Sequence, residues 1–368
     1  MTDTKRIITK KCIKHLSNLF PYFFDKRVHI IFDACEKFHF YHLEPIVKEI
    51  LKDPRYKISI IRWPGIKPDD IIPNVNYMSF KKFWHDWFNL FDVLITTEIE
   101  RCPTWFINDI SICMFHGAGP KMSYIKNKEI NNYNVLFSVG PTTQKVLENF
   151  VDPTVVVEKI GLPITDKLLS NKSALPHTIK LAPSKPTILY APSWSKYPEL
   201  ISMNNQILDE LASLNNYNVI IRPHPLLLQP KNCNGFDWNT KINQIKSKGV
   251  QISYSIDHSV YELMPYIDIL LGDASSVTYE YLIFDKPIIT YMKEGILKSF
   301  DAEEFIAPLY AATYQLDSPE QLESVLFSIK NEPEEISKAR TELKNATLFN
   351  IGSATEVAVK TIEKYAFD

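Results

Sequence analysis

Three short loops carry side chains suited to holding and activating an anionic group. The first, His116-Gly117-Ala118-Gly119-Pro120-Lys121, follows the apolar run ISICMF. A histidine on a glycine-flexed turn at a strand end stands at a cleft with little shielding, and the glycines let a ligand approach the backbone. Imidazole is also the side chain most readily poised as a base near neutral pH. The plainer alternative is a histidine that fills the turn with a structural hydrogen bond. The second loop, Arg222-Pro223-His224-Pro225, follows YNVII. Its prolines fix φ on both sides and aim the cationic pair. Arginine beside histidine suits phosphate oxygens, whereas the plainer alternative is a proline-rich strand exit. The third, Gly272-Asp273-Ala274-Ser275-Ser276, follows IDILL and leads into VTYEYLIF. Asp273 or Ser275 can cap a helix there, and first-turn amides with two hydroxyls make an anion site. Alone, that segment would be a simple N-cap.

Weaker signals surround these. Tyr190-Ala191-Pro192-Ser193-Trp194 offers a hydroxyl and a stacking surface, and Glu280 lies one helical turn beyond Ser276, placed to accept from a ribose or to pair with a cation. Asp33, Glu36, His39 and His42 follow the opening apolar run, where solvated residues at a helix start are the plainer alternative. No further ligands fall at a metal-binding spacing around His39 and His42, and neither GxGxxG nor a P-loop occurs, so no metal and no other cofactor is expected.

These loops need strands to present them. Val28–Phe32, Ile58–Arg62, Val93–Thr96, Ile110–Phe115, Val135–Val139 and Val155–Ile160 are short apolar runs of the kind buried in parallel sheets. Leu43–Leu51 and Thr142–Phe150 show helical periodicity between them, the second opened by a threonine cap. Residues 171–186, with three prolines and no periodicity, have linker composition. The alternation then restarts with strands Thr187–Ala191, Val219–Arg222, Val250–Ser253, Ile267–Leu271 and Ile288–Tyr291, and helices Leu200–Leu214, Ser276–Phe284 and Ser318–Lys330. Glu334–Leu343 and Ser353–Tyr365 read as terminal helices. The expected fold class is α/β, with two doubly wound Rossmann-like domains facing across a cleft. The expected division is a basic amphipathic segment 1–27, an N-terminal domain 28–170, the linker 171–186, a C-terminal domain 187–345, and a helix within 346–368 packing back on the N-terminal domain.

At 368 residues the chain has room for about two domains. Hydrophobic residues at 45% and charged residues at 23% exclude a disordered or disulfide-scaffold class. A net charge of −2 gives no global attraction to nucleic acid, and none is expected as a partner. The five cysteines lack any CxxC spacing and read as thiols of a reducing compartment, so a cytoplasmic location is expected. No apolar run reaches the ~18 residues of a membrane span. In the first segment, Lys5, Arg6, Lys10, Lys11 and Lys14 accompany Ile13, Leu16 and Phe20 on one helical face, with Lys26 and Arg27 after it. That suits a helix lying on an anionic bilayer surface and equally an ordinary docked helix.

Together the loops resemble the CDP-glycerol glycerophosphotransferase family of teichoic acid and capsule primases and polymerases. The resemblance rests on the histidine-glycine turn with a lysine five positions on (His116, Gly117, Lys121), Ala191-Pro192-Ser193, the loop Arg222-Pro223-His224-Pro225, the segment Asp273, Ser275, Ser276, the acidic Glu280, Lys286-Pro287-Ile288-Ile289, and Gly352-Ser353-Ala354. Ala118 stands where the family usually has threonine, and Ser195 where it often has arginine. The resemblance implies the glycosyltransferase-B type of fold. It also implies transfer of a polyol phosphate from CDP-glycerol or a related CDP-polyol to a saccharide or polyol-phosphate acceptor, in places lipid-linked, with CMP leaving. His116 and His224 are then the candidate catalytic residues. Gly117, Lys121, Ser193, Arg222, Asp273, Ser275, Ser276 and Glu280 are candidates for the donor phosphates, and Asp33, Glu36 and His39 for the acceptor side. The rival readings are a glycosyltransferase or nucleotide-sugar 2-epimerase on the same fold, and a non-catalytic nucleotide-binding scaffold.

Overall fold

In the computed structural model the described residues are 25–367, apart from 35, 63, 65–69, 80–90, 102–107, 120–124, 171–174, 195–197, 248–252, 255–257 and 292–302. The basic segment up to residue 24 therefore lies outside them, as do Lys121 and Ser195. Among the described residues the chain builds two wholly parallel sheets. The first comprises β1 (Val28–Ala34), β2 (Tyr56–Arg62), β3 (Asn76–Ser79), β4 (Phe91–Thr96), β5 (Asn108–Met114), β6 (Val135–Ser138) and β7 (Val156–Lys159), in the spatial order β3-β2-β1-β4-β5-β6-β7. The second comprises β8 (Thr187–Tyr190), β9 (Asn218–Ile221), β10 (Ser253–Tyr254), β11 (Ile269–Gly272), β12 (Ile288–Thr290) and β13 (Tyr314–Gln315), in the order β10-β9-β8-β11-β12-β13. The order reverses between β1 and β4 and between β8 and β11. In such sheets the crevice outside the strand carboxyl ends at these points is where ligands bind.

The helices are α1 (Lys37–Ile50), α2 (Pro141–Phe150), α3 (Pro163–Ser170), α4 (Pro198–Ser213), α5 (Trp238–Ser247), α6 (Val260–Leu263), α7 (Ser276–Tyr281), α8 (Glu303–Ala312), α9 (Leu322–Ile329), α10 (Glu334–Thr347) and α11 (Ala354–Phe367). The central strands β6, β8, β11 and β12 are buried at every residue, because helices cover both faces. That is why they read as unbroken apolar runs.

Four differences from the sequence reading have physical causes. The edge strands β3 (NYMS) and β13 (YQ) were not expected, since an edge strand need not be apolar on both faces. The run Val155–Ile160, read as a buried strand, is the opposite edge, with Val156 44% exposed. Helix α1 starts six residues before the expected Leu43, because two of its buried positions are occupied by His39 and His42 and break the apolar pattern. Finally, Gly140 rather than Thr142 occupies the N-cap position of α2, and the Thr142 hydroxyl donates to the Ala346 carbonyl at 2.9 Å.

That last bond belongs to a return crossing. Helix α10 packs on α2, and α11 lies against α1 and α3, with Ala358 and Ile362 buried in the same cluster as Leu43 and Ile46. Between these helices the Phe349 amide donates to the Val139 carbonyl at 2.8 Å, and Asn350 Nδ2 donates to the carbonyls of Lys159 and Ile160. The crossing runs so close that a Cβ on Gly140 would lie 1.9 Å from the Thr347 oxygen, and one on Gly161 would lie 2.2 Å from the Phe349 oxygen. Gly161 also has a φ of +93°. A single apolar cluster spans both sheets, joining Phe115 and Val139 to Leu263, Tyr279 and Leu282. Gly161→Ala is expected to cost about 3 kcal/mol or more, because left-handed strain adds to a clash with backbone. Chemical denaturation would read this as a lowered midpoint, and an unchanged midpoint would contradict the described crossing.

Candidate active site

His116 stands two residues beyond β5, on the cleft side of the first sheet, with its side chain 12% exposed. Its Nδ1 lies 2.8 Å from the Thr97 carbonyl oxygen, just past the end of the neighbouring strand β4. A carbonyl only accepts, so this bond holds the proton on Nδ1 and leaves the lone pair on Nε2. Glu98 Oε1 lies 3.5 Å from the same Nδ1 and 2.9 Å from Nε2 of His39 on the first turn of α1. The Phe38 ring meets both imidazoles edge-on, with centroids 4.1 Å from His39 and 5.6 Å from His116.

The turn that follows is seated directly on the second sheet's machinery. A Cβ on Gly117 would lie 2.6 Å from Ser276 Oγ, 2.8 Å from Ser276 Cβ and 3.3 Å from Glu280 Oε1, and one on Gly119 would lie 3.2 Å from the Ser276 amide nitrogen. Glycine is needed at these positions for close approach, and what approaches is Ser276 of the chain itself and not the ligand expected from the sequence. His116, Gly117, Gly119, Thr143 and Ser276 line one small cleft, with a cavity of about 20 Å³.

On the other side of that cleft, three loops are laced together. The His224 amide donates to the Pro192 carbonyl at 3.0 Å, and the Ser193 amide and hydroxyl both donate to Asp273 Oδ2, at 2.9 and 2.5 Å. Asp273 is buried, and burial pushes its carboxyl up against the pull of the Ser193 bonds. Its position is thus one that holds the Ser193 loop to the Ser275 loop, and it does not face an anion directly. Ser275 occupies the N-cap position of α7 without a side-chain capping bond, and neither it nor Asp273 caps that helix. His224 is exposed, and its Nδ1 accepts from the Leu226 amide at 3.2 Å, which places its ring proton on Nε2 as a donor.

Arg222 differs from the expected aimed cation. Its Nε donates to the His258 carbonyl at 2.6 Å and its Nη1 to the Pro223 carbonyl at 2.5 Å, so the guanidinium braces the loop before α6. Glu280 is fully buried beneath the Gly117 turn, not open to the cleft. Its negative charge lies near the half-buried Tyr261, whose pKa rises well above its usual value through burial and then through this carboxylate. The Tyr261 hydroxyl lies 3.0 Å from His42 Nε2. On the first sheet's side, Asp33 is buried in a two-pronged ion pair with Arg101, at 2.6 and 3.0 Å. Glu36 is exposed at the start of α1 without a capping bond, and His39 is buried against Glu98. Of the three acceptor-side candidates, only His39 reaches the group around His116.

Glu98, Thr97, Arg101 and Tyr261 are the site neighbours that the sequence reading missed. Glu98 had a usable signal, because Thr97-Glu98 follows the run VLIT at a strand end, as His116 follows its own run. Ring and carboxylate atoms of His39, Glu98 and His116 fall within 4.8 Å of one another. Among the described residues no helix is long and apolar enough to cross a membrane.

Two doubly wound parallel sheets, their carboxyl ends turned to a shared cleft, define an α/β protein of the glycosyltransferase-B type, as expected from the sequence. The chain belongs to the CDP-glycerol:poly(glycerophosphate) glycerophosphotransferase family, whose profile matches residues 116–303. It is similar to the teichoic acid glycerol-phosphate primase of Bacillus subtilis (strain 168), at 29% identity over 138 residues, covering 36% of this chain and 32% of that protein. It is also similar to the teichoic acid ribitol-phosphate polymerase TarL of Staphylococcus aureus, at 23% identity over 220 residues, covering 55% and 36%. The chain thus spans about a third of the length of these relatives. Among solved structures, the wall teichoic acid polymerase TagF superposes with a TM-score of 0.65 at 17% identity over 97% of each chain. A putative UDP-N-acetylglucosamine 2-epimerase from Listeria monocytogenes gives 0.62 at 12% identity, covering 93% of this chain and 98% of that one. At these identities the two superpositions speak for the fold.

The seat of the turn can be tested directly. Gly117→Ala would force Ser276 Cβ to move with its backbone, at a cost of about 1–3 kcal/mol, and the melting temperature should fall by several degrees. A variant that melts with the wild type would contradict this contact.

Proposed function

We propose that this chain transfers glycerol phosphate, or another polyol phosphate, from a CDP-linked donor to a hydroxyl of a saccharide or polyol-phosphate acceptor. The observation that carries the reading is the seating of the His116 turn on Ser276, which brings an imidazole with its proton held on Nδ1 to the rim of the second sheet's loops. Family membership supports the donor class, and the primase and polymerase named above support a place in teichoic-acid-like polymer synthesis.

In this reading His116 Nε2 takes the proton of the acceptor hydroxyl, whose oxygen attacks the phosphorus bearing the polyol. The bond to the bridging oxygen breaks, and CMP leaves with its electron pair. Base catalysis of this kind is worth typically ~10²–10⁴-fold. His224, through its Nε2–H, and the Ser275 and Ser276 amides and hydroxyls stabilise charge on the departing diphosphate oxygen. Gly117 and Gly119 let the His116 turn close onto Ser276, which sets the imidazole beside the donor-side loops. Ser193, fixed by Asp273, shapes the donor wall. Arg222 contributes by bracing the loop that carries His224. Lys121, outside the described residues, is assigned to the donor phosphates on the family resemblance. Residues 187–345 form the donor-side unit and residues 28–170 the acceptor side. The acceptor is carried on a lipid, and the basic first segment rests on the cytoplasmic face of the membrane that holds it.

The purified full chain should release CMP from a CDP-polyol when a panel of CDP-polyols and nucleotide sugars is offered with acceptor. His116→Ala should lower that release by ~10²–10⁴-fold while donor affinity, read by thermal shift, changes little. A His116→Ala protein of near-normal rate would refute the assignment, and release of a nucleoside diphosphate from a nucleotide sugar would favour the glycosyltransferase reading. Removing residues 1–25 should move the protein from the membrane fraction to the soluble fraction, and unchanged fractionation would count against the membrane contact.

A further inference from the structure

We propose that Glu98 is a positioning residue for His116, a carboxylate held by His39 so that it balances the charge the imidazole acquires on taking a proton. The inference rests on the reading of His116 as the base. Three observations carry it. The backbone of residue 98 is pinned, because its carbonyl accepts from Tyr133 Oη at 2.8 Å and from Thr96 Oγ1 at 3.1 Å. The carboxylate is held from the opposite side by Nε2 of His39, at 2.9 Å, and that ring is itself 2% exposed and fixed by the edge of Phe38. The oxygen so placed lies 3.5 Å from His116 Nδ1.

That distance is beyond a good hydrogen bond, and the Nδ1 proton is already committed to the Thr97 carbonyl. In the resting state Glu98 therefore adds little to orientation, and its effect grows when the ring becomes an imidazolium. The proton balance is simple: the acceptor hydroxyl loses a proton to Nε2, the ring carries a positive charge until it gives that proton to water, and Glu98 remains ionised throughout. Among the described residues two further carboxylates lie near this group. Asp33 beyond His39 is matched by its two bonds to Arg101. Glu280 lies under the Gly117 backbone from α7, near Tyr261. A glutamine at 98 would fill the same space and still accept from His39, so the feature that glutamate adds is charge.

The test is the titration of His116, followed by NMR in the full chain labelled at histidine, for wild type, Glu98→Gln and Glu98→Asp, together with the pH profile of CMP release. Without the carboxylate the imidazolium loses a favourable neighbour, so Glu98→Gln should move the His116 titration and the acidic limb of kcat/KM to lower pH. Its kcat should fall by about 10- to 100-fold, less than when a directly bonded carboxylate is lost, with KM for the donor nearly unchanged. Glu98→Asp keeps the charge and should fall between. His39→Leu, which removes the donor that holds Glu98, should lower the His116 titration as Glu98→Gln does, whereas His39→Gln, which can present an amide donor where Nε2 stood, should shift it less. A Glu98→Gln protein with unchanged titration and unchanged kcat would overturn the inference, as would one equivalent of transition metal retained by the wild type and lost in His39→Gln. Should the wild type release no CMP from any CDP-polyol, the functional reading fails, while the NMR titration still decides whether Glu98 and His116 are paired.

Discussion

The contact between the Gly117 turn and Ser276 is the constraint on which the rest of the site depends. It is made by two residues 159 positions apart in sequence, one at the end of a first-sheet strand and one opening a helix of the second sheet. With no side chain on Gly117 or Gly119, the two backbones close to van der Waals distance, and the histidine just before the turn is brought to the rim of the opposite loops. A larger residue at Gly117 would force Ser276 to shift and loosen this contact.

Around that contact, the buried charges hold other groups in place. Asp273 ties Ser193 to the loop before α7, Asp33 ties Arg101 to the first sheet, and Glu280 lies under the turn with Tyr261. Asp33 is matched by an opposite charge and Asp273 by the Ser193 bonds, as buried ionisable groups require. His116 and His224 are set in opposite tautomers by their backbone partners. A carbonyl on Nδ1 leaves His116 with an accepting Nε2, and an amide on Nδ1 leaves His224 with a donating one. The same side chain is thereby suited to taking a proton on one side and to stabilising an anion on the other.

The rigidity this requires comes from the end of the chain. The apolar cluster that joins the sheets is continuous, and the crossing at residues 347–352 clamps α10 and α11 back onto the first sheet through backbone bonds to Val139, Lys159 and Ile160. The cleft is held by packing of this kind rather than by a loose hinge.

The sequence by itself determined the fold class and the loops at issue. Strands covered on both faces must be apolar throughout, so β6, β8, β11 and β12 could be read from their composition, and His116, His224, Ser275 and Ser276 announced themselves by standing just past such runs. Edge strands and the histidine-bearing start of α1 were not legible, because their burial is decided by what packs on them. Nor was the direction of long side chains. Arg222 turns to a carbonyl at residue 258, Asp33 to Arg101 and Glu280 to Tyr261, each a partner 19 to 68 residues away in sequence. Glu98 gained its meaning only when β4 was laid beside β5 and α1 delivered His39. Which side chains share a charge is a property of strand order and chain crossing, and local sequence, which sets periodicity and turn type, carries no record of it.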